Sequence, residues 1–187
     1  MKSFYTVTAL AASASASLYD YSDQNHTCTL VPDYRSCSPI AEPDLVDACC
    51  VETFGGLLLL TQYWDTYTGL EEEGQLLPEN AWTIHGLWPD FCDGTWTQYC
   101  DLDRQWDPEP WPNTTTGTPN GTFVPPYEGP EIGTFLEPFG AYDLLEYMRL
   151  HFVGHTSPSW VLWAHEFAKH ATCFSTFDLP CKSTQHR

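Results

Sequence analysis

Basic residues are scarce in this chain, which carries 7 Lys and Arg against 25 Asp and Glu, for a formal net charge of −18. Proteins that hold nucleic acid tightly normally present a basic face, so this balance argues against a stable nucleic-acid-binding protein. It does not exclude an enzyme that binds such a polymer briefly, because charges beyond a Debye length of about 8–10 Å are screened. In an acidic medium, protonation of the 7 histidines would offset part of the negative charge.

Long apolar segments are also missing. No stretch after the N-terminus approaches the roughly 20 apolar residues that span a bilayer, so we expect no transmembrane helix and no membrane partner. Residues 1–16 combine Lys2, a short apolar run and a small-residue end at Ala16, which predicts a secretory signal peptide. A disordered tail is the alternative. On the first interpretation, the folded domain covers residues 17–187.

The cysteines lack the repeated C-x-x-C spacing that structural zinc sites use. An even number of eight in an exported chain instead predicts four disulfides, and arithmetic alone leaves about 105 pairings open. Glycosylation sequons at Asn25, Asn113 and Asn120 agree with export. We therefore expect a secreted, extracellular glycoprotein, with the vacuole as an alternative destination.

The apolar pattern predicts two strands. Residues 57–64 are strongly apolar and typical of a buried strand. Residues 82–88 alternate as a second strand that ends at Pro89. Side chains alternate between the faces of a strand, so His85 would lie on the face opposite Ile84.

A loop and helices complete the predicted α+β domain. Residues 107–130 contain seven of the fifteen prolines and two sequons, and they predict an exposed, glycan-bearing loop. Residues 139–152 are amphipathic, which predicts a helix with Tyr142, Leu145 and Met148 on its core side.

Residues 160–171 predict a second helix, and it contains the run HEFAKH. A zincin helix needs histidines at i and i+4 so that both lie on one face. Here Lys169 takes the fourth position after His165, and His170 lies about 140° round the helix. We therefore expect no metal at this helix.

One face of the same helix brings ionisable groups together. Glu166 and His170 are one turn apart with Lys169 beside both, while Trp163 and Phe167 fall on the opposite side as an apolar anchor. The alternative is an exposed helix with a Glu–Lys pair. The grouped residues suit phosphodiester cleavage, in which histidines transfer protons and a lysine stabilises charge on the phosphate.

The second histidine of such a reaction would come from another element. His85 on the predicted strand is the strongest candidate, flanked by Trp82 and Trp88. An unperturbed histidine pKa of about 6.5 suits either a general acid or a general base. A hydrogen-bonded core histidine is the alternative for His85.

Two segments, WTIHGLWP at 82–89 and HEFAKHATC at 165–173, resemble the active-site segments of the ribonuclease T2 family, most closely those of its secreted fungal members. The resemblance implies a ribonuclease T2-like α+β fold, with a central antiparallel sheet, packed helices and disulfide staples. Phe167 and Ala171 depart from the commonest family residues. Both lie on the apolar side of the helix, away from the chemistry.

The resemblance implies a secreted acid endoribonuclease with little base specificity. In that family the 2′-hydroxyl of RNA attacks the adjacent phosphorus, and the 2′,3′-cyclic phosphate formed is hydrolysed to a 3′-phosphate. No metal or cofactor is implied. DNA should be inert because it lacks the 2′-hydroxyl, and we expect the enzyme to be a monomer.

The resemblance also assigns roles to individual residues. His170 would be the general base for the 2′-hydroxyl, and His85 would be the general acid for the leaving 5′-oxygen. Glu166 and Lys169 would act at the phosphate, and His165 would help to bind it.

Three further residues match family positions for base recognition: Trp88, Asp90 and Trp96. Stacking of a base on an aromatic ring is tolerant of sequence, which agrees with low specificity. For Trp96, a packed loop aromatic is the alternative.

The resemblance further implies four disulfides, which would use all eight cysteines: Cys28–Cys50, Cys37–Cys92, Cys49–Cys181 and Cys100–Cys173. Because the family continues well beyond the last of these cysteines, the chain resembles a C-terminally truncated member. The alternative function is therefore a non-catalytic or unstable secreted protein on the same scaffold, which binds RNA or a protein partner.

Overall fold

The computed structural model describes Cys37, Thr53, residues 55–117 and residues 120–174. Within these ranges the chain forms two strands and two α-helices, in the order β1 (Gly56–Tyr63), β2 (Thr83–Phe91), α1 (Tyr142–His151) and α2 (Ser159–Lys169). Short 3₁₀ turns lie between them and after α2. The predicted α+β class is confirmed.

Strands β1 and β2 pair antiparallel, with Gly56 opposite Phe91 and Tyr63 opposite Thr83. The prediction that the apolar strand is buried was wrong in part. Leu58 and Leu60 are 41% and 69% exposed, because alternate side chains of β1 face outward from this two-stranded sheet.

Strand β2 also extends beyond its predicted end. It continues through Pro89, which pairs opposite Leu58, and ends at Phe91. A strand tolerates proline where the missing N–H would face an open edge, and a strand with a single described neighbour has such an edge.

A bulge interrupts the ladder at His85. Thr61 lies opposite Gly86 but Gln62 lies opposite Ile84, so β2 carries one extra residue between these pairs. Residues three apart on a regular strand would face opposite ways. The extra residue cancels that alternation and lets the rings of His85 and Trp88 meet, with their centroids 4.9 Å apart.

Helix α1 is shorter and less buried than the sequence predicted. Leu145 is 4% exposed and packs with Trp163 over Gly133, and Met148 is half-buried. The prediction that Tyr142 belongs to the core was wrong, since this residue is 61% exposed. Tyr142 is the first residue of α1 and lies outside the buried face on which Leu145 sits.

The 107–130 segment is not simply an exposed loop. Asn113 and Asn120 are exposed, as sequons require, but Val124 is 1% exposed and packs against Tyr99 and Ala168 in the core. The prediction failed because the segment closes on itself through backbone hydrogen bonds and folds back on the protein.

Two disulfides lie among the described residues, Cys37–Cys92 and Cys100–Cys173. Both pairings implied by the resemblance are confirmed. The other two pairs, the sequon at Asn25 and the predicted signal peptide lie outside the described residues. Across the described ranges, no helix combines the length and apolar character that crossing a bilayer needs.

Removing the Cys100–Cys173 disulfide should destabilise the protein strongly. The bond closes a loop of 73 residues, so its loss frees the unfolded chain and should cost about 4 kcal/mol. The Cys100→Ala/Cys173→Ala variant should show this decrease in urea unfolding followed by circular dichroism. A decrease below about 1 kcal/mol would contradict the prediction.

Candidate active site

The last turn of α2 is tied to the segment that follows β2. The Tyr99 N–H donates to the Lys169 carbonyl at 2.9 Å, and the Cys100 N–H donates to Thr172 Oγ1 at 3.1 Å. With the disulfide beside them, these bonds fix the end of the helix that carries the predicted catalytic groups.

Glu166 joins α2 to β2 at the centre of the site. Its Oε2 accepts a hydrogen bond from the Trp88 indole N–H at 2.8 Å, and its Oε1 lies 3.4 Å from His85 Nε2. The second contact is an ion pair only when His85 is protonated, and Oε1 has no hydrogen-bond partner in the described part of the chain. Tyr63 stacks on His85 with the ring centroids 4.0 Å apart, which fixes the imidazole plane.

Glycine at position 86 is required by the approach of α2 to β2. A Cβ atom there would lie 1.8 Å from Glu166 Oε2 and 2.8 Å from Trp88 Nε1. Real Cβ atoms do not come so close to other atoms. The missing side chain therefore makes room for the Trp88–Glu166 hydrogen bond.

Trp88 contacts both candidate proton-transfer residues. Its indole stacks on His170 at 4.8 Å with 16° between the planes, and it meets His85 edge-on at 4.9 Å. The His170 side chain is 5% exposed, and its Nδ1 is buried with no hydrogen-bond partner among the described residues. One aromatic side chain thus orders both imidazoles.

Glu166 and His170 of the ionisable face of α2 are buried, while His165 and Lys169 are half-buried, contrary to the prediction of a polar face opposite an apolar anchor. Glu166 is 6% exposed and Trp163 is also 6% exposed, while Phe167 is half-buried. On a regular helix Trp163 lies about 60° from Glu166 and about 20° from His170, so these side chains share one side of α2, which β2 covers.

Burial dominates the ionisation of the three central groups. It lowers the pKa of His85 to about 4 and that of His170 to about 3, and the positive charges of His165 and Lys169 act in the same direction. Burial raises the pKa of Glu166 to about 7, against the Trp88 hydrogen bond and the nearby cations. At mildly acidic pH the site therefore holds a neutral His170 and a neutral Glu166 carboxyl group.

His165 has a partner that the sequence did not reveal. Its Nδ1 lies 2.7 Å from Oδ2 of Asp107, which is 58 residues away in the chain and has no exposed surface. The Tyr99 hydroxyl donates to the same carboxylate oxygen at 2.7 Å. No local motif marks Asp107, since it lies in a proline-rich segment whose pattern is that of a loop.

The three predicted base-contacting residues lie in different surroundings. Trp88 is inside the site, as described above. Asp90 has a buried Oδ1 without a hydrogen-bond partner in the described chain, and burial raises the pKa of its carboxyl group. Trp96 lies beyond the end of β2 with 66% of its surface exposed.

A cavity of about 220 Å³ adjoins the site. Its wall includes Tyr63, which stacks on His85, and His165 with its partner Asp107. Trp111 and His155 also line it. The cavity therefore lies beside Tyr63, the stacking partner of His85, and extends along the surface of α2.

Three candidate metal ligands come closer together than the helical wheel suggested. His165, Glu166 and His170 each offer one ligand atom, and these atoms lie within 4.8 Å of one another. The approach arises because α2 ends at Lys169, after which His170 takes a backbone angle φ of −109°. The positive charge of Lys169 acts on both Glu166 and His170, which disfavours a cation there.

Comparison with known proteins identifies the relatives of this site. The profile of the Ribonuclease T2 family matches residues 55–187. Ribonuclease T2 of Aspergillus oryzae is 34% identical over 137 residues, which are 73% of this chain and 39% of that protein. Ribonuclease Le2 of Lentinula edodes is 36% identical over 148 residues, which are 78% of this chain and 48% of that protein.

A solved structure is similar as well. The crystal structure of Actibind, described as a T2 ribonuclease, matches with a TM-score of 0.51 at 31% identity. The match covers 74% of this chain and 47% of Actibind. The chain spans between about a quarter and a half of the length of the curated relatives it matches.

Gly86→Ala should break the contact between α2 and β2. The new methyl group would displace Glu166 and cost roughly 1–3 kcal/mol in unfolding free energy, as overpacking of a core does. The indole N–H resonance of Trp88 should shift as its hydrogen bond is lost.

Gly133→Ala is the matched control for this change. A Cβ atom at position 133 would meet Leu145 and Trp163 only at ordinary contact distances of 3.6 Å. Equal losses of stability in the two variants would contradict the assigned role of Gly86.

Glu166→Gln should change stability in a pH-dependent way. The unfolded chain ionises Glu166 near its ordinary pKa of 4.5, whereas the folded protein does so near 7. Stability of the wild type is therefore lost as pH rises from about 4.5 to 7, and the glutamine variant escapes this loss. By calorimetry, the variant's Tm relative to the wild type should become more positive between pH 4.5 and pH 7.5.

Exposed Glu73→Gln serves as the control, because it removes the same charge away from the site. A difference in Tm between Glu166→Gln and the wild type that stays constant with pH would show that Glu166 ionises in the folded protein as it does in water.

Proposed function

Because this chain belongs to the ribonuclease T2 family, we propose that it is an endoribonuclease that cleaves single-stranded RNA with little base specificity. The observation that carries the proposal is the pair of imidazoles, the half-buried His85 and the buried His170, held against one indole beside Glu166. Cleavage yields a 2′,3′-cyclic phosphate, which is then hydrolysed to a 3′-phosphate end.

His170 is the proposed general base. Its pKa, lowered by burial to about 3, keeps the ring neutral in acidic solution, so it can take the proton of the 2′-hydroxyl. The O2′ atom then bonds to phosphorus while the bond from phosphorus to O5′ breaks.

His85 is the proposed general acid that gives its proton to O5′. Burial lowers its pKa to about 4, so the protonated fraction grows as the medium becomes more acidic. The bound phosphate would supply the negative charge that stabilises the imidazolium, while Glu166 Oε1 lies 3.4 Å from His85 Nε2. These features support activity in acid.

Glu166 and Lys169 act at the phosphate in this proposal. With a pKa raised to about 7, the buried Glu166 carboxyl group is neutral in acid, so it can donate a hydrogen bond to a phosphate oxygen instead of repelling it. Lys169 stabilises the charge that grows on the non-bridging oxygens. His165 binds the same phosphate.

The proposed base contacts come from Trp88, Asp90 and Trp96. The exposed ring of Trp96 offers a face on which any base can stack, which supports low specificity. The cavity beside His165 gives room for a neighbouring nucleotide. DNA lacks the attacking hydroxyl and is not a substrate in this mechanism.

We also propose that the enzyme is exported and acts as a monomer without a cofactor. The two described disulfides favour an oxidising compartment, and the exposed positions of Asn113 and Asn120 suit glycosylation.

Alanine at either histidine should slow cleavage strongly. With single-stranded RNA near pH 5, His85→Ala and His170→Ala should each lower kcat about 10²- to 10⁴-fold, because each removes one proton transfer. His151→Ala on α1 is the matched control and should keep wild-type activity. EDTA should have no effect, and an RNA oligonucleotide with one 2′-deoxy residue should resist cleavage at that residue.

The outcomes separate the alternatives. Folded wild-type protein that leaves RNA intact would refute the ribonuclease proposal and favour a non-catalytic protein on the same scaffold. Activity that EDTA removes would point instead to a metal at His165, Glu166 and His170.

A further inference from the structure

Asp107 has a buried side-chain carboxylate, which lies at the edge of the site. Its side chain has no exposed surface, and Oδ2 lies 2.7 Å from both His165 Nδ1 and the Tyr99 hydroxyl. The other oxygen, Oδ1, accepts the Glu109 N–H at 2.8 Å. Both oxygens of the carboxylate are therefore engaged, and one of them faces His165.

The backbone of Asp107 is fixed from both sides. Gln105 Oε1 accepts a hydrogen bond from the Asp107 N–H at 3.0 Å, and Gln105 Nε2 donates a hydrogen bond to the Asp107 carbonyl at 3.0 Å. The Tyr127 N–H donates to the same carbonyl at 2.9 Å. A carboxylate with so little freedom holds its partner ring in one orientation.

The charge state of Asp107 decides which nitrogen of His165 carries hydrogen. Burial alone would raise the pKa of Asp107, but hydrogen bonds from His165 and Tyr99 outweigh it and the pKa lies below its ordinary value. An ionised carboxylate only accepts hydrogen bonds. His165 Nδ1 must therefore carry the hydrogen, and Nε2 points away from Asp107.

His165 stands next to the proton-transfer residues. Its ring centroid is 6.2 Å from that of His170, and it lines the adjoining cavity together with Asp107. Tyr99 completes the arrangement, since burial raises its pKa and keeps its hydroxyl group as a donor to Asp107.

We propose that Asp107 is a positioning residue that acts through His165. It holds Nδ1–H of the ring toward itself and balances the charge of the protonated ring, whose Nε2–H then donates to the bound phosphate of the RNA. The proposal rests on the proposed ribonuclease function, because it concerns the phosphate that His165 would bind. Asp107 itself touches no reacting atom.

Asp107→Asn tests the proposal with little change of shape. The asparagine side chain carries no charge to balance a protonated His165, and its amide N–H can face Nδ1 as a donor, which opposes the hydrogen on that nitrogen. Affinity for uridine 3′-monophosphate and kcat/KM for RNA should each fall about 10- to 100-fold, the range found where a metal-bound histidine loses its carboxylate partner. Asp103→Asn, the same change at an exposed position of the same segment, should leave both unchanged.

A double-mutant cycle with His165→Ala separates positioning from general structure. If Asp107 acts through His165, Asp107→Asn should cause no further loss of nucleotide affinity in the His165→Ala background. Equal losses in both backgrounds would overturn the proposal, because the aspartate would then act on the fold as a whole.

The protonated nitrogen of His165 is observable without any variant. Long-range ¹H–¹⁵N spectra of the wild-type protein, at a pH where the ring is neutral, should show hydrogen on Nδ1. Hydrogen on Nε2 would overturn the proposal even if Asp107→Asn did not fold. Absence of RNA cleavage by the wild type would refute the ribonuclease function alone, since these spectra do not depend on activity.

Discussion

The hydrogen bond between the Trp88 indole and Glu166 is the contact on which this site depends. It joins β2 to α2, and it is formed only because Gly86 leaves room for the carboxyl group. The same indole orders His85 and His170, which arrive from the two different elements. A displacement of α2 from β2 would therefore disturb the proposed acid, the proposed base and the carboxyl group together.

Burial gives these groups properties that the overall composition does not show. The chain has a net charge of −18, yet the centre of the site combines two imidazoles of lowered pKa with a carboxyl group of raised pKa. A neutral carboxyl group can approach a phosphate that a surface carboxylate would repel. Local desolvation, with the charge of Lys169 nearby, would thus allow an acidic protein to bind an anionic polymer in the proposed reaction.

Sequence patterns predicted the components of the site better than their arrangement. Helical spacing grouped Glu166 with His170, and the segment at 82–89 offered His85 as a candidate. Burial of these groups was not predictable, because it depends on which element covers α2. Asp107 was missed for a related reason, since a contact across 58 residues leaves no periodic signal in a loop. The bulge at His85 was equally hidden, because it is a property of the strand pair and not of either strand alone.

That bulge also bears on how β1 and β2 find their alignment. Residues 57–60 are all leucine, so both faces of β1 carry the same side chain there. Hydrophobic alternation therefore barely distinguishes one register from a register shifted by one residue. Only one alignment of the two strands can accommodate the extra residue at position 85. In that alignment the Thr61 hydroxyl donates a hydrogen bond to the adjacent Gly86 carbonyl at 3.0 Å. The bulge that orients a proposed catalytic histidine therefore also disfavours a register shift between the leucine-rich strand β1 and its partner β2.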